Sequence, residues 1–246
     1  LQEIELMADL CVQFRMAGIQ PVAVADASIV PFALLNEPFV KNNTRRAALL
    51  LERITRALDS LRASNAVIAG YIDRPNSNAL ARTCSLADVP PAALSSEQRM
   101  RDSLRRVAQD TRGINDRFLL EPILRDGHRT ALFEPTWLVN GPAYLGHSGH
   151  TMKACYLNVG AGRPAIVRIE MPEWCADVAS VDLLTGIMQR HANMGAGYPL
   201  ILKAAHEEAV LTASDEAGID LMIERGMINQ GILAMPSQKQ EAKDKR

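Results

Sequence analysis

Two short stretches carry side chains whose types and spacing could do chemistry. In the first, the apolar run Pro21–Ala25 ends on a carboxylate, Asp26. A rigid strand can hold such a group in place while a metal ion or reactant approaches from solvent. The alternative is an Asp26 that only caps a turn with Ser28. In the second, GAGYPLILKAAHEEAV at 195–210, Tyr198 and Pro199 lead into a helix. Proline suits the first helical turn, so Tyr198 stands where free N–H groups favour an anion such as phosphate. On a helical wheel from Leu200, apolar residues take most of the circumference, and Lys203, His206 and Glu207 share one polar stripe about 100° wide. Such a helix is expected to be mostly buried, with its stripe facing water or a polar cleft. There His206 can serve as an acid, a base or a phosphate contact, or it is a plain surface histidine.

Glu3, Glu5 and Asp9 lie on an expected first helix, and Glu5 and Asp9, four apart, share a face. A carboxylate from that face meeting Asp26 would make the oxygen-rich set that magnesium or manganese prefers. A cation there would hold a phosphodiester and activate water. The plain alternative is a solvated acidic face. Arg74, Arg129, Arg168 and Glu170 fall at expected strand ends or turns. Arginines so placed suit phosphate contacts, or surface ion pairs of little worth. His128, His147, His150 and His191 show no metal-ligand spacing, and the pair in GHSGH reads as loop.

The elements that must position these groups are legible from periodicity. Residues 1–18 read as an amphipathic helix with Leu6, Leu10, Val12, Phe14 and Met16 as its apolar positions and Gly18 as its stop. Residues 42–65 read as a strong helix, with Leu49, Leu50, Ile54, Leu58 and Leu61 on the 3.6-residue period. NAVIAGYID is a second buried strand, followed by a turn and a short helix. After the Pro-rich link DVPPAALS comes a charged, solvated helix. RTALFEP, TMKACYLNVG and PAIVRIEMP predict three more strands, and three helices follow. Residues 236–246 read as a polar tail. Interleaved helices and five or six strands predict the α/β class with a mixed sheet flanked by helices.

Composition bounds the function. A chain of 246 residues, 48% apolar and 22% charged, can bury a real core. A net charge of −1 does not announce a nucleic-acid binder, so any DNA surface must be a local basic patch. The four scattered cysteines, Cys11, Cys84, Cys155 and Cys175, form no CxxC pair and suit reduced thiols in the cytoplasm. No secretory signal or run of 18 apolar residues is present, which predicts no membrane association.

Seven segments, in order, resemble the NurA nuclease family: VAVADASIV, AGYIDRPNSNAL, GHRTALFEP, CYLNVG, VRIEMPEW, GAGYPLILKAAHEEAV and SQKQEAKDK. The resemblance spans essentially the whole chain, as a single domain over 1–246. It implies an RNase H-like core and a manganese-dependent nuclease, with magnesium as the alternative metal. Such an enzyme cuts single-stranded DNA, degrades duplex DNA from its ends in double-strand break repair, and works as a homodimer docked on a hexameric HerA-type ATPase. It further implies Asp26, Tyr198 and His206 as catalytic residues and Asp26 with Glu5 as metal ligands, Glu3 standing close behind Glu5. Arg74, Arg129 and Lys239 are weaker candidates for DNA backbone contacts.

Departures from the family pattern are visible. Its first Asp-Gly-Ser motif, upstream of the first helix, is missing. Ala27 replaces a glycine, and His128 replaces the hairpin glutamate. Because Leu1 is not an initiator, truncation of a longer protein is the expectation. The alternative is a catalytically impaired scaffold subunit for the ATPase. An RNase H-like enzyme acting on RNA is a third reading, since 2′-OH contacts are not legible in a sequence.

Overall fold

The computed structural model describes residues 1–30, 42–135, 150–160, 165–209 and 213–229. The chain forms two compact units, Leu1–Lys203 and Ala204–Arg246.

The first unit is built on a four-stranded mixed sheet in the order β1-β2-β4-β3, with β1 Val22–Ala25, β2 Val67–Ile72, β3 Met152–Asn158 and β4 Ile166–Pro172. β1 and β2 are parallel, with Ala25 opposite Gly70. Parallel neighbours need a long crossover, and theirs includes helix α2, Thr44–Ala63. β2 lies between β1 and β4, and every residue of VIAGYI except Ile72 is buried. A central strand covered on both faces reads as such a continuous apolar run. β4 runs antiparallel to both β2 and β3. This is the α/β class with a mixed sheet flanked by helices that the sequence predicts.

The expected strand over 129–135 is reduced to two isolated bridges to β3, Arg129 with Leu157 and Phe133 with Ala154. The two bridges are four positions apart on this side and three apart on β3, so one residue is extra, as in a bulge. Thr130 fits this irregular edge, because its hydroxyl, not a backbone carbonyl, accepts from the Tyr156 N–H at 3.0 Å.

Among the described residues, the other α-helices of this unit are α1 Gln2–Met16, α3 Ala79–Ala87, α4 Glu97–Asp110, α5 Asp116–Leu120, α6 Val178–Met194 and the first turn of α7 Leu200–Glu208. Asn115 caps α5, accepting from the Arg117 N–H at 2.9 Å. The main core gathers Ile4, Ala8 and Cys11 of α1, Ile54, Leu58 and Leu61 of α2, and Leu184 and Met188 of α6 with β2 and β4. A smaller cluster joins Leu120, Tyr156 and Ile166.

Two helical faces differ from expectation. On α1 the buried line is Ile4, Ala8 and Cys11, while Leu6, Leu10, Phe14 and Met16 are exposed. Small residues allow α1 to lie close against α2, so the side that packs is not the one with the larger apolar chains. On α7 only Leu202 is buried, and Leu200 and Ile201 are exposed. The broad apolar arc of this nine-residue helix therefore does not mark its buried surface.

The second unit begins within α7 and contains α8, Ala213–Asn229. Among the described residues, no helix is long and apolar enough to cross a membrane. All four cysteines are free thiols, and only Cys84 is exposed.

Candidate active site

Parallel pairing puts two carboxylates at neighbouring strand ends. β1 stops at Ala25, opposite Gly70, so Asp26 follows at the level of Tyr71, and Asp73 follows the last residue of β2. With a side-chain period of two, Tyr71 and Asp73 belong to one face. Gly70 governs how the chain leaves β1. A Cβ there would come within 2.4 Å of the Ala27 carbonyl oxygen and 3.1 Å of the Ile29 nitrogen. The segment after Asp26 thus folds back directly over β2, where only a glycine leaves room.

That segment is tied down on the other face of the sheet. The Ser28 hydroxyl donates to Glu170 Oε2 at 2.6 Å. Glu170 is fully buried, with its other oxygen 2.7 Å from Arg168 Nη2. Arg168 Nη1 donates to Ser77 Oγ at 2.9 Å, which lies 3.0 Å from the Tyr156 hydroxyl. Tyr156 in turn donates to Asp116 Oδ2 at 2.6 Å. Asp116 also accepts from the Leu80 and Ala81 N–H groups at the start of α3, at 2.9 and 3.0 Å. Arg168 and Glu170 are therefore buried mid-strand, not surface groups at a turn. In the register they share a face with Gly70 and Tyr156, where Ser28 and Ser77 partner them. Buried charges persist only when paired and hydrogen-bonded in this way.

Tyr198 reaches the carboxylates from the turn after α6. Ala196 and Gly197 take positive φ, 58° and 102°, and a Cβ on Gly195 would meet the Tyr198 carbonyl oxygen at 2.0 Å. The tight turn sets the Tyr198 ring edge-on to Tyr71, with centroids 5.8 Å apart and planes at 86°. The Tyr198 phenol lies close enough to Asp26 for the carboxylate to act on it. Burial, then the Asp26 hydrogen bond, then the charges of Asp26 and Asp73 push its pKa well up. Tyr71 is pushed up too, first by burial and then by the charges of Asp73, Tyr198 and Asp26. Both phenols stay protonated at neutral pH. Tyr71 is only 1% exposed, and among the described residues its hydroxyl has no hydrogen-bond partner.

An open cleft of about 500 Å³ adjoins this group, lined by Asp73, Arg74, Arg117, Glu121, Gly160, Ala165, Ile166, Ala196, Gly197 and Tyr198. Arg74 is 81% exposed and only loosely paired with Asp73, at 3.8 Å. Arg117 lies 3.3 Å from Glu121. A larger groove of about 790 Å³ along α6 includes Asp182 and Arg190 but neither tyrosine nor the strand-end carboxylates.

Asp26, Tyr198 and Arg74 thus come to one region. Glu5 is engaged elsewhere: Arg53 donates to both its oxygens, at 2.7 and 2.5 Å, tying α1 to α2. This hydrogen bonding, aided by the charge of Arg53, lowers the Glu5 pKa. Arg129 pairs with Asp182 of α6 at 2.9 Å. His206 is exposed and belongs to the second unit. Lys239 and His147 lie outside the described residues. His150 lies in a loop, as expected, just before β3, but it is buried, 3.1 Å from Trp174 Nε1 and 3.2 Å from Asp59 Oδ1. Residue-by-residue reading passed over Asp73 and Tyr71, although Asp73 follows its buried strand as Asp26 follows β1.

Among the described residues, no three His, Cys, Asp or Glu side chains form a metal cluster. Magnesium-type sites commonly use one or two carboxylates, with water and substrate phosphate filling the rest. Asp26 and Asp73 fit that mode.

The NurA domain family matches residues 21–211. The chain belongs to the NurA family. The match takes in Asp26, Asp73, Tyr198 and His206, and Glu5 precedes it. The NurA fold is also recovered in three dimensions: the crystal structure of the NurA nuclease from Sulfolobus solfataricus superposes with a TM-score of 0.51, at 12% identity, over 95% of this chain and 67% of that one. The mixed sheet and its flanking helices accord with the RNase H-like core expected of a NurA domain. No curated protein matches the sequence.

Proposed function

We propose that this NurA domain is a divalent-metal-dependent DNA nuclease, cutting single strands and degrading duplex ends during double-strand break repair. Its metal is manganese, with magnesium as the alternative. It works in the cytoplasm as a homodimer on a HerA-type hexameric ATPase. The observation that carries the reading is the meeting of Asp26 with Tyr198 beside a cleft lined by Arg74 and Arg117.

Asp26 holds the cation. The cation, when bound, lowers the pKa of a water and neutralises charge on the transition-state phosphate. Tyr198, a protonated phenol, hydrogen-bonds a phosphate oxygen. Arg74 and Arg117 steer the backbone into the cleft. His206 orients the attacking water or contacts the scissile phosphate. Glu5 can join a cation only by releasing Arg53.

The test is cleavage of end-labelled linear and single-stranded DNA with and without manganese. Wild type cuts only with the metal, and Asp26→Ala and His206→Ala lose at least about a hundredfold in rate. Cleavage indifferent to both changes refutes the reading. The commitment of Glu5 to Arg53 favours one rival, a catalytically impaired scaffold for the same ATPase. That rival predicts no cleavage by the wild type with any divalent metal.

A further inference from the structure

We propose that Asp73 is the second carboxylate of a divalent-cation site, shared with Asp26 and completed by the buried hydroxyl of Tyr71. The proposal rests on the nuclease reading only for what the cation does.

Three observations carry it. First, Asp26 and Asp73 leave adjacent parallel strands, and Asp73 shares a sheet face with Tyr71, which lies at the level of Asp26. Rigid strand ends hold such ligands in place before a cation arrives. Second, Tyr71 carries a nearly inaccessible hydroxyl with no partner among the described residues. Leaving a buried hydroxyl unsatisfied costs about 1–3 kcal/mol. Waters on a cation held by Asp26 and Asp73 are strong donors, and the small side-chain shift that admits one of them satisfies the Tyr71 oxygen. The fields of both carboxylates reach that phenol. Third, the competing contacts differ in strength. Asp73 meets Arg74 at 3.8 Å in an exposed pair, which is worth little. Glu5 is held by a two-point contact with Arg53, the stronger and more specific geometry. Asp73 is thus free to turn to a cation, and Glu5 is not.

The arrangement suits a hard cation with oxygen ligands. Two carboxylates offset its double charge, and the open cleft leaves positions for water and a phosphate oxygen.

The experiment is manganese binding to the full chain without DNA, followed by loss of the free-ion electron paramagnetic resonance signal. Wild type binds one ion. Asp73→Asn and Asp26→Asn each weaken binding by at least about tenfold, the scale seen even for groups outside a ligand shell. Melting within about 2 °C of wild type shows that each variant is folded. Tyr71→Phe gives an independent readout: it raises the melting temperature of the metal-free protein and lowers manganese affinity. Three results overturn the proposal: wild type that binds no manganese, Asp73→Asn that binds as wild type does, or loss of binding on Glu5→Gln in place of Asp73→Asn. Manganese-dependent cleavage retained by Asp73→Asn but lost by Asp26→Ala removes Asp73 and leaves the nuclease reading intact. Binding that needs both aspartates, with no cleavage of any DNA, does the reverse.

Discussion

Replacing Gly70 by alanine should damage the site through the backbone, without touching any functional side chain. The new Cβ would lie 2.4 Å from the Ala27 carbonyl oxygen, where real contacts stay beyond 3.0 Å and mostly beyond 3.4 Å. The obstacle is backbone, so it cannot rotate away. The segment 27–29 must rise by about 0.6 to 1 Å from β2, as packed interiors leave no slack. Ala27 is bonded to Asp26, and Ser28 holds Glu170 at 2.6 Å, so the shift moves the carboxylate and stretches that hydrogen bond. Overpacking of this kind costs about 1–3 kcal/mol, or a fall of about 2–12 °C in melting temperature for a chain of this size. Displacing a reacting group by about 1 Å costs on the order of a hundredfold in rate. The assays are a thermal melt, manganese affinity and single-turnover DNA cleavage. Gly186 is the control: nothing lies within 4 Å of its Cβ position in the middle of α6. Gly186→Ala should stabilise by about 0.5–1 kcal/mol. A Gly70→Ala protein that melts with wild type and keeps its manganese affinity refutes the reasoning.

Two further outcomes follow from the buried polar groups. Asp116→Ala leaves the Tyr156 hydroxyl and the first N–H groups of α3 without their acceptor. The loss should be about 3 kcal/mol, or about 6–12 °C in a thermal melt; an unchanged melt would show that water replaces the carboxylate. His150 is held below its ordinary pKa of 6.5 by burial, which outweighs the attraction of Asp59, with the charge of Arg62 lowering it further. Its folded pKa is depressed, so the unfolded chain takes up the proton first on acidification. Its contribution to stability is therefore complete above pH 6.5, declines as pH falls towards the folded pKa, and levels off below it. Urea midpoints at several pH values, compared with His150→Gln, should differ in slope across that window; parallel curves refute the assignment.

The buried strand β2 was legible as an apolar run, because a central strand has no solvent face to encode. Asp26 was legible as the end of such a run, and Tyr198 as the residue between a glycine turn and a proline. Which helix side packs was not: α1 buries Ile4, Ala8 and Cys11 and leaves Leu6 and Phe14 in water, because close helix contact selects for fit as well as hydrophobicity. Arg168 and Glu170 read as surface charges, since their partners Ser77 and Ser28 lie about a hundred or more residues away. Asp73 closes NAVIAGYID, but nothing local tied it to Asp26 until parallel pairing set β2 beside β1. By itself, then, the sequence determined the periodic elements, the α/β class and the family likeness, all carried by local pattern and by motif order. Only the tertiary structure decided which strand ends adjoin, which charges are buried and which phenol lacks a partner among the described residues, because strand register joins residues with no local relation in the chain.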